Sequence, residues 1–250
     1  MIYGNTMASV YDALNDGIDI SAWADFIVAA IARHSGTDVR RICEIACGTG
    51  SMATELAKRG YDVTASDLSL EMLTEAEHKS RLFGVGVRYV SADMRSFSLY
   101  SPADVCLCLL DSMNYLTKPS DFSETLSSVH KNLVDGGLFI FDINSKRKFE
   151  VVYGDNAYVI ENEGVLCAWQ NFYNPKTKIC DFYLSIFTEN ADGSYERTDE
   201  HQRERLYTVR SVKKMLDACG FEVCGIYSDY AFSEGDENTD DRLYVIAKKL

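Results

Sequence analysis

A glycine turn between a short apolar run and a helical pattern most constrains the fold of this chain. Residues 41–46, Arg-Ile-Cys-Glu-Ile-Ala, predict a strand, and apolar residues at helical spacing predict a helix over 51–59. Cys47-Gly48-Thr49-Gly50 joins the two as a tight loop. Because the first N–H groups of such a helix point at a bound ligand, the turn predicts a nucleotide-binding site.

The glycine loop alone is compatible with two cofactors. Gly48-x-Gly50-x-x-Ala53 also satisfies the dinucleotide fingerprint, and Asp67 follows it, so an NAD-dependent oxidoreductase is one interpretation. Glu44 would lie at the end of the strand, beside the ligand. A carboxylate there attracts an ammonium or sulfonium but gains nothing from a pyrophosphate. Glu44 therefore favours a cationic cofactor.

Strands and helices alternate after an N-terminal pair of helical segments within residues 7–34. Strands are expected over 41–46, 61–66, 86–91, 103–109 and 138–143, and helices over 51–59, 70–80 and 120–132. This alternation predicts an α/β fold with a mostly parallel sheet and right-handed crossovers.

The pattern changes after Asn144. Residues 157–207 contain period-two runs broken by turn signals, which predict an inserted antiparallel β-meander. A helix over 208–219 follows, and the last two runs, 221–227 and 242–248, are expected to pair antiparallel because no helix connects them. The predicted units are an N-terminal helical cap (1–40), an α/β domain (41–149 and 207–250) and the inserted sheet (150–206), on the substrate side.

The charge balance restricts the partners. The formal net charge of −13 repels a nucleic-acid backbone and disfavours DNA or RNA as substrate. The eight cysteines form no C-x-x-C pair, so we expect reduced, structural thiols and no metal site. The sequence shows neither a basic and apolar leader nor a run of about 20 apolar residues. The expectation is a cytoplasmic protein without membrane contact.

Three segments, within this order of elements, carry a resemblance to a known family. They are Glu44-Ile-Ala-Cys-Gly-Thr-Gly50, Tyr11-Asp-Ala-Leu14 and Asp19-Ile-Ser-Ala-Trp23. The chain resembles the class I S-adenosylmethionine-dependent methyltransferases over nearly its whole length, and most of all the bacterial small-molecule or uncharacterised members with an inserted antiparallel sheet. The resemblance implies a Rossmann-like fold, S-adenosylmethionine as cofactor, S-adenosylhomocysteine as product, and a small-molecule methyl acceptor.

The resemblance also implies where the cofactor binds. Asp67 would accept the ribose hydroxyls and Asp93 the adenine amine; alternatively, each acid caps the backbone that follows it. Leu68 and Met72 would lie against the adenine, although core packing explains them equally well. Ala46 stands where many relatives have glycine. The implied cofactor residues are Tyr11, Trp23, Glu44, Ala46, Cys47, Gly48, Gly50, Asp67, Leu68, Met72, Asp93, Met94, Leu110 and Asp111.

Methyl transfer from a sulfonium is an in-line displacement that needs alignment in a dry site more than it needs a base. Where the acceptor is a hydroxyl or an ammonium, a nearby proton acceptor helps, and among the four histidines His201 is the best candidate. The competing interpretation places His201 on the surface beside neighbouring acids. Tyr115 is a second catalytic candidate, and the predicted acceptor-binding residues are Asn114, Trp169, Tyr183 and Arg203.

Three questions stay open at this level. The acceptor atom, nitrogen or oxygen, is not fixed, and neither is the choice between a monomer and a homodimer. A non-catalytic protein that binds S-adenosylmethionine or S-adenosylhomocysteine also fits, because the reaction requires no single residue whose absence would exclude it.

Overall fold

The computed structural model describes residues 5–36 and 38–250, so residues 1–4 and 37 of the predicted cap lie outside the described part. Its helices are α1 (Asn5–Leu14), α2 (Ile20–His34), α3 (Ser51–Lys58), α4 (Leu70–Leu82), α5 (Pro119–Asn132) and α6 (Val209–Ala218). Its strands are β1 (Arg41–Ile45), β2 (Asp62–Asp67), β3 (Val87–Ser91), β4 (Ala103–Cys108), β5 (Leu133–Asn144), β6 (Ala157–Asn162), β7 (Val165–Asn174), β8 (Ile179–Glu189), β9 (Tyr195–Arg205), β10 (Phe221–Tyr227) and β11 (Arg242–Lys249).

The central sheet has seven strands in the order β10-β11-β5-β4-β1-β2-β3. The strands β1 to β5 run parallel, whereas β11 pairs antiparallel with both β5 and β10. This confirms the predicted fold class, including the antiparallel terminal pair. The strand order reverses between β1 and β4, and in such sheets ligands bind beyond the carboxyl ends of the strands at that point.

Both faces of the central sheet are covered over β1, β4, β5 and β11, whose buried residues are mostly apolar. Alternate residues of one strand enter opposite cores: Ile42 packs with α2 and α3, and Cys43 packs with α5 and α6. Cys106 and Cys108 are buried free thiols within the second of these cores.

The second sheet has four antiparallel strands in the order β6-β7-β8-β9 and corresponds to the predicted meander. One face buries Cys167, Cys180 and Phe182 in a core with residues of α1. The other face is exposed, with Phe172 and Tyr183 among its large side chains. The inner face of this sheet therefore covers the edge of the central sheet where a ligand would bind. The division of the chain into three units stays a prediction.

One strand begins earlier than predicted. β5 starts at Leu133 rather than at residue 138, because Asp135-Gly136-Gly137 lies within the strand as an irregularity and does not precede it. Gly136 has φ +75°, and a Cβ on Gly137 would lie 2.8 Å from the carbonyl oxygen of Val134, so the two glycines allow the distortion. Within the described residues, no helix is long and apolar enough to span a bilayer.

Candidate cofactor and acceptor site

A branched cavity lies beyond the carboxyl ends of β1, β2 and β4, beneath α1. Its three lobes have volumes of about 300, 340 and 340 Å³, and Tyr11 and Leu110 line all three. We call them the Glu44 lobe, the Asp67 lobe and the Glu204 lobe, after one acidic residue in each. Because the lobes share lining residues, a ligand in one lobe can contact a ligand in the next.

Unusual backbone angles shape the floor of this cavity. Ala46, Gly48 and Gly50 have φ values of +53°, +53° and +69°, and Leu110 and Asp111, after β4, have +53° and +50°. Non-glycine residues rarely adopt such angles, and they do so mainly at functional sites. The positive φ of Ala46 is an angle that glycine adopts more readily than alanine. The chain thus turns away sharply after β1 and β4, which opens the crevice.

Glu44 is the central feature of the Glu44 lobe, which Ala46, Cys47 and Gly48 also line. Its side chain is 3% exposed, and Oε2 has no hydrogen-bond partner among the described residues. Burial raises the pKa of Glu44 to about 8, partly offset by the backbone N–H of Ala53. A buried carboxylate oxygen without a partner is costly, so this lobe fits a ligand that brings a positive, hydrogen-bonding group.

A polar network ties α1 to this lobe. The Lys79 ammonium donates to Asp12 Oδ2 at 2.5 Å, to Thr49 Oγ1 at 3.0 Å and to Ser51 Oγ at 2.6 Å. The Thr49 hydroxyl also donates to Asp12 Oδ1 at 2.6 Å. Asp12 and Lys79 were not predicted as site residues, because nothing in the local sequence brings the first helix and α4 together. The network holds α1 over the glycine loop.

The Asp67 lobe contains the two acids that the resemblance assigned to ribose and adenine. Asp67 accepts from the N–H groups of Gly48 and Ser69 at 2.8 and 2.9 Å, and burial raises the pKa of its carboxyl. Asp93 accepts from the Arg95 guanidinium, and this hydrogen bond keeps the pKa of Asp93 below its ordinary value. Asp67 therefore fixes the glycine loop while its remaining lone pairs line the cavity.

Of four further predicted cofactor residues, three line the cavity and one lies in the core. Leu68 and Met94 line the Asp67 lobe, and Leu68 is 40% exposed. Trp23 lines the Glu44 lobe and packs edge-on against Tyr244, with ring centroids 5.7 Å apart. Met72 is fully buried in the core with α1 and the second sheet and lines none of the three lobes. For Met72, core packing is the interpretation that the structure supports.

The Glu204 lobe lies between the inner face of the second sheet and the central sheet. Two of the predicted residues reach it: Trp169 lines its wall, and Tyr115 lines it and donates its hydroxyl to Gln202 Oε1 at 2.9 Å. Asn114 is fully buried outside it, donating to the Arg205 carbonyl and accepting from the Asn144 N–H. Asn114 thus links the cores instead of facing a ligand.

Three predicted residues point away from the cavity, which corrects the sequence interpretation. His201, Arg203 and Tyr183 lie on the exposed face of the second sheet. The His201 ring stacks on Tyr183 with centroids 4.5 Å apart, and its Nε2 lies 2.8 Å from Asp181 Oδ1. Because side chains alternate along a strand, their neighbours face inward instead. The hypothesis that His201 is the base facing the acceptor is therefore wrong in its placement.

The inward-facing residues of β9 are Gln202 and Glu204, at 5% and 2% exposure. Sequence reasoning missed both. The sequence shows that two polar residues alternate with His201 and Arg203, so one of the two pairs had to face the core, but it does not show which pair. Lys148 and Arg242 also line this lobe and were not predicted. The Glu204 lobe is consequently more charged than the aromatic pocket that the sequence suggested.

Comparisons with known proteins agree with this geometry. Residues 42–137 match the family model described as a methyltransferase domain. The chain is 31% identical over 250 residues to the Putative methyltransferase YqeM of Bacillus subtilis (strain 168), covering 100% of this chain and 98% of that protein. It is 25% identical over 227 residues to a glycine/sarcosine N-methyltransferase of Halorhodospira halochloris, covering 90% and 80%. A crystal structure of an S-adenosylmethionine-dependent methyltransferase from Clostridium acetobutylicum ATCC 824 superposes with a TM-score of 0.88 at 29% identity, covering 98% of each chain.

Proposed function

Because this chain belongs to the class I S-adenosylmethionine-dependent methyltransferases, we propose that it methylates a small molecule held in the Glu204 lobe. The bound cofactor supplies an electrophilic methyl group on a positively charged sulfur. The chain's own residues bind it, align it with the acceptor and exclude water from the site.

The observation that carries the cofactor assignment is the partnerless, buried Glu44 oxygen beside the glycine loop. An ammonium group, such as that of the methionine part of the cofactor, would satisfy this oxygen and neutralise the carboxylate. A pyrophosphate would instead add negative charge beside Glu44, which argues against the NAD-dependent alternative. In this proposal the Asp67 lobe receives the ribose and adenine, with Asp67 and Asp93 as hydrogen-bond acceptors.

Three observations support a small acceptor. The Glu204 lobe has a volume of about 340 Å³ and lies between the second sheet, α1 and the central sheet, which suits a metabolite better than a polymer. The related glycine/sarcosine N-methyltransferase is named for substrates of this size. The acidic net charge of −13 is consistent with this class of substrate.

Isothermal titration with S-adenosylmethionine, S-adenosylhomocysteine and NAD tests the cofactor assignment. We expect binding of the first two and thermal stabilisation that grows with their concentration, and no response to NAD. Binding of NAD alone would refute the proposal. If S-adenosylmethionine binds and no member of a broad metabolite panel yields S-adenosylhomocysteine, the non-catalytic interpretation is the better one.

A further inference from the structure

Five acidic and basic side chains from five separate segments lie at the Glu204 lobe or directly beside it, more than a binding site for a neutral acceptor requires. They are Asp111 after β4, Asp142 on β5, Lys148 in the turn Lys148–Tyr153, Glu204 on β9 and Arg242 on β11. The Arg242 guanidinium donates to Asp111 Oδ1 at 2.6 Å and also to Asp142. This leaves Lys148 and Glu204 as the charges that line the lobe outside the Arg242 network.

Glu204 is held in place without being neutralised by a cation. Its side chain is 2% exposed, and its Oε2 accepts from Asn144 Nδ2 at 2.8 Å. Burial, together with the charge of Asp111, raises the pKa of Glu204, whereas the charges of Arg242 and Lys148 outweigh burial and lower the pKa of Asp111. Of these two carboxyls, Glu204 therefore holds a proton more strongly.

The charges at the lobe indicate which kind of ligand group it accepts. If all five groups were ionised, three acids would face two bases and one negative charge would stay uncompensated in a buried site, which is costly. Tyr153 and Cys180 also face Glu204, and burial keeps both neutral by raising their pKa. A proton on Glu204 restores neutrality, and so would a positively charged group on a ligand. An ammonium offers that charge, whereas an alcohol does not.

We propose that the methyl acceptor is a primary or secondary amine and that the Glu204 carboxylate accepts its proton. The inference rests on the methyl-transfer function proposed above and adds the class of acceptor and a catalytic residue to it.

The acceptor enters as an ammonium, and the proton held by Glu204 leaves to solvent. One N–H bond of the ammonium breaks, and its proton passes to a Glu204 oxygen. The freed nitrogen lone pair forms the N–C bond to the methyl carbon, while the C–S bond breaks and its electrons stay on sulfur. A base whose proton affinity is raised by its surroundings is suited to this transfer, since the ammonium holds its own proton strongly.

Matched acceptor pairs test the amine assignment with the intact protein. Release of S-adenosylhomocysteine is measured for amino sugars, amino acids and polyamines, each beside the analogue with a hydroxyl in place of the amino group. We expect turnover of one or more amines and none of their hydroxyl partners. Turnover confined to hydroxyl compounds, or no amine turned over by protein that binds S-adenosylmethionine, would overturn the inference. Failure to bind S-adenosylmethionine would instead refute the proposed function.

Substitution of Glu204 tests its role. Glu204→Gln keeps an oxygen for Asn144 and has nearly the same shape, so we expect it to fold and to bind S-adenosylhomocysteine, whose sulfur is uncharged, within about twofold of the unchanged protein. Turnover of the amine should fall by about 10²- to 10⁴-fold, with partial recovery in Glu204→Asp. Glu196→Gln, on the exposed end of β9, is the matched control and should keep full turnover.

The pH profile separates a catalytic role from a structural one. In the unchanged protein kcat/KM should rise with pH as Glu204 loses its proton, and Glu204→Gln should remove that limb of the profile. Lys148→Met removes the other charge outside the Arg242 network and should keep the limb but shift it to higher pH, because the charge of Lys148 lowers the pKa of Glu204. The inference fails if Glu204→Gln keeps the limb, or if its loss of turnover is matched by an equal loss of S-adenosylhomocysteine affinity.

Discussion

The buried carboxyl of Glu44 makes a quantitative prediction about stability. Its pKa is about 8 in the folded protein against a usual value of 4.5, so the folded state binds more protons than the unfolded state between these pH values. The stability that this carboxyl contributes is fully present below pH 4.5 and is lost as the pH rises through 8. Because each pH decade is worth about 1.4 kcal/mol, the stability lost relative to pH values below 4.5 is about 2 kcal/mol at pH 6 and about 4 kcal/mol at pH 8.

Glu44→Gln removes the titration while keeping the size and shape of the side chain. The free energy of unfolding of the variant minus that of the unchanged protein should therefore be about 2 kcal/mol larger at pH 8 than at pH 6. Any pH-independent effect of the amide cancels in this comparison. Asp67 and Lys79 also act on Glu44, the first raising and the second lowering its pKa, and both are retained in the variant.

Urea unfolding of the cofactor-free protein at pH 6 and pH 8 measures this difference from the transition midpoints. Glu77→Gln, at an exposed site on α4, is the control and should show the same difference from the unchanged protein at both pH values. A stability difference between Glu44→Gln and the unchanged protein that does not change with pH would refute the reasoning. The same substitution should weaken S-adenosylmethionine binding, by roughly 10- to 100-fold, because an ammonium would lose its charged partner.

Three further substitutions separate the parts of the site. Asp67→Ala should weaken S-adenosylmethionine and S-adenosylhomocysteine equally in calorimetry, by roughly 10- to 100-fold, because both carry the ribose; unchanged affinity would remove the ribose assignment. Gly50→Ala should lower the free energy of unfolding by about 1–3 kcal/mol, because its Cβ would lie 2.7 Å from Ala76 Cβ and from the Tyr89 hydroxyl, at a φ of +69°. Urea unfolding measures this loss. An unchanged transition midpoint would contradict the prediction. His201→Ala should keep turnover of any identified acceptor within about twofold, and a large loss would return His201 to the candidate bases.

The Glu44 and Asp67 lobes, where we propose that the cofactor binds, were largely predictable because their signals are local. The strand, the glycine turn and the helix that follow one another around Gly48 are contiguous, and acids at the ends of the next two strands reach the same sheet edge by the geometry of a parallel sheet. Met72 shows the limit of this approach. Its position in the first turn of α4 is compatible with the adenine or with the core, and only the packing of α1 against α4 decides for the core.

The acceptor half was less predictable because the second sheet is exposed on one face only, and the sequence does not say which. In β9, His201 and Arg203 alternate with Gln202 and Glu204, so both faces of the strand are polar. Hydrophobicity, the usual guide to strand orientation, gives no answer for such a segment. The cross-strand register with β8 and the packing of the sheet against α1 settle the question, and both depend on contacts distant in sequence.

The position of Tyr11 bears on how a proton could leave the acceptor. Tyr11 lines all three lobes, so it lies where the proposed cofactor lobes meet the proposed acceptor lobe. Burial, with Asp111 and Asp67 adding negative charge, raises the pKa of Tyr11 far above its ordinary value. Its phenol therefore stays protonated throughout the physiological range and can donate a hydrogen bond but cannot take up a proton as a phenolate. In the proposal above, the carboxyl of Glu204 has the opposite property, because it releases its proton to solvent when a cationic ligand binds and can then take up a proton from that ligand.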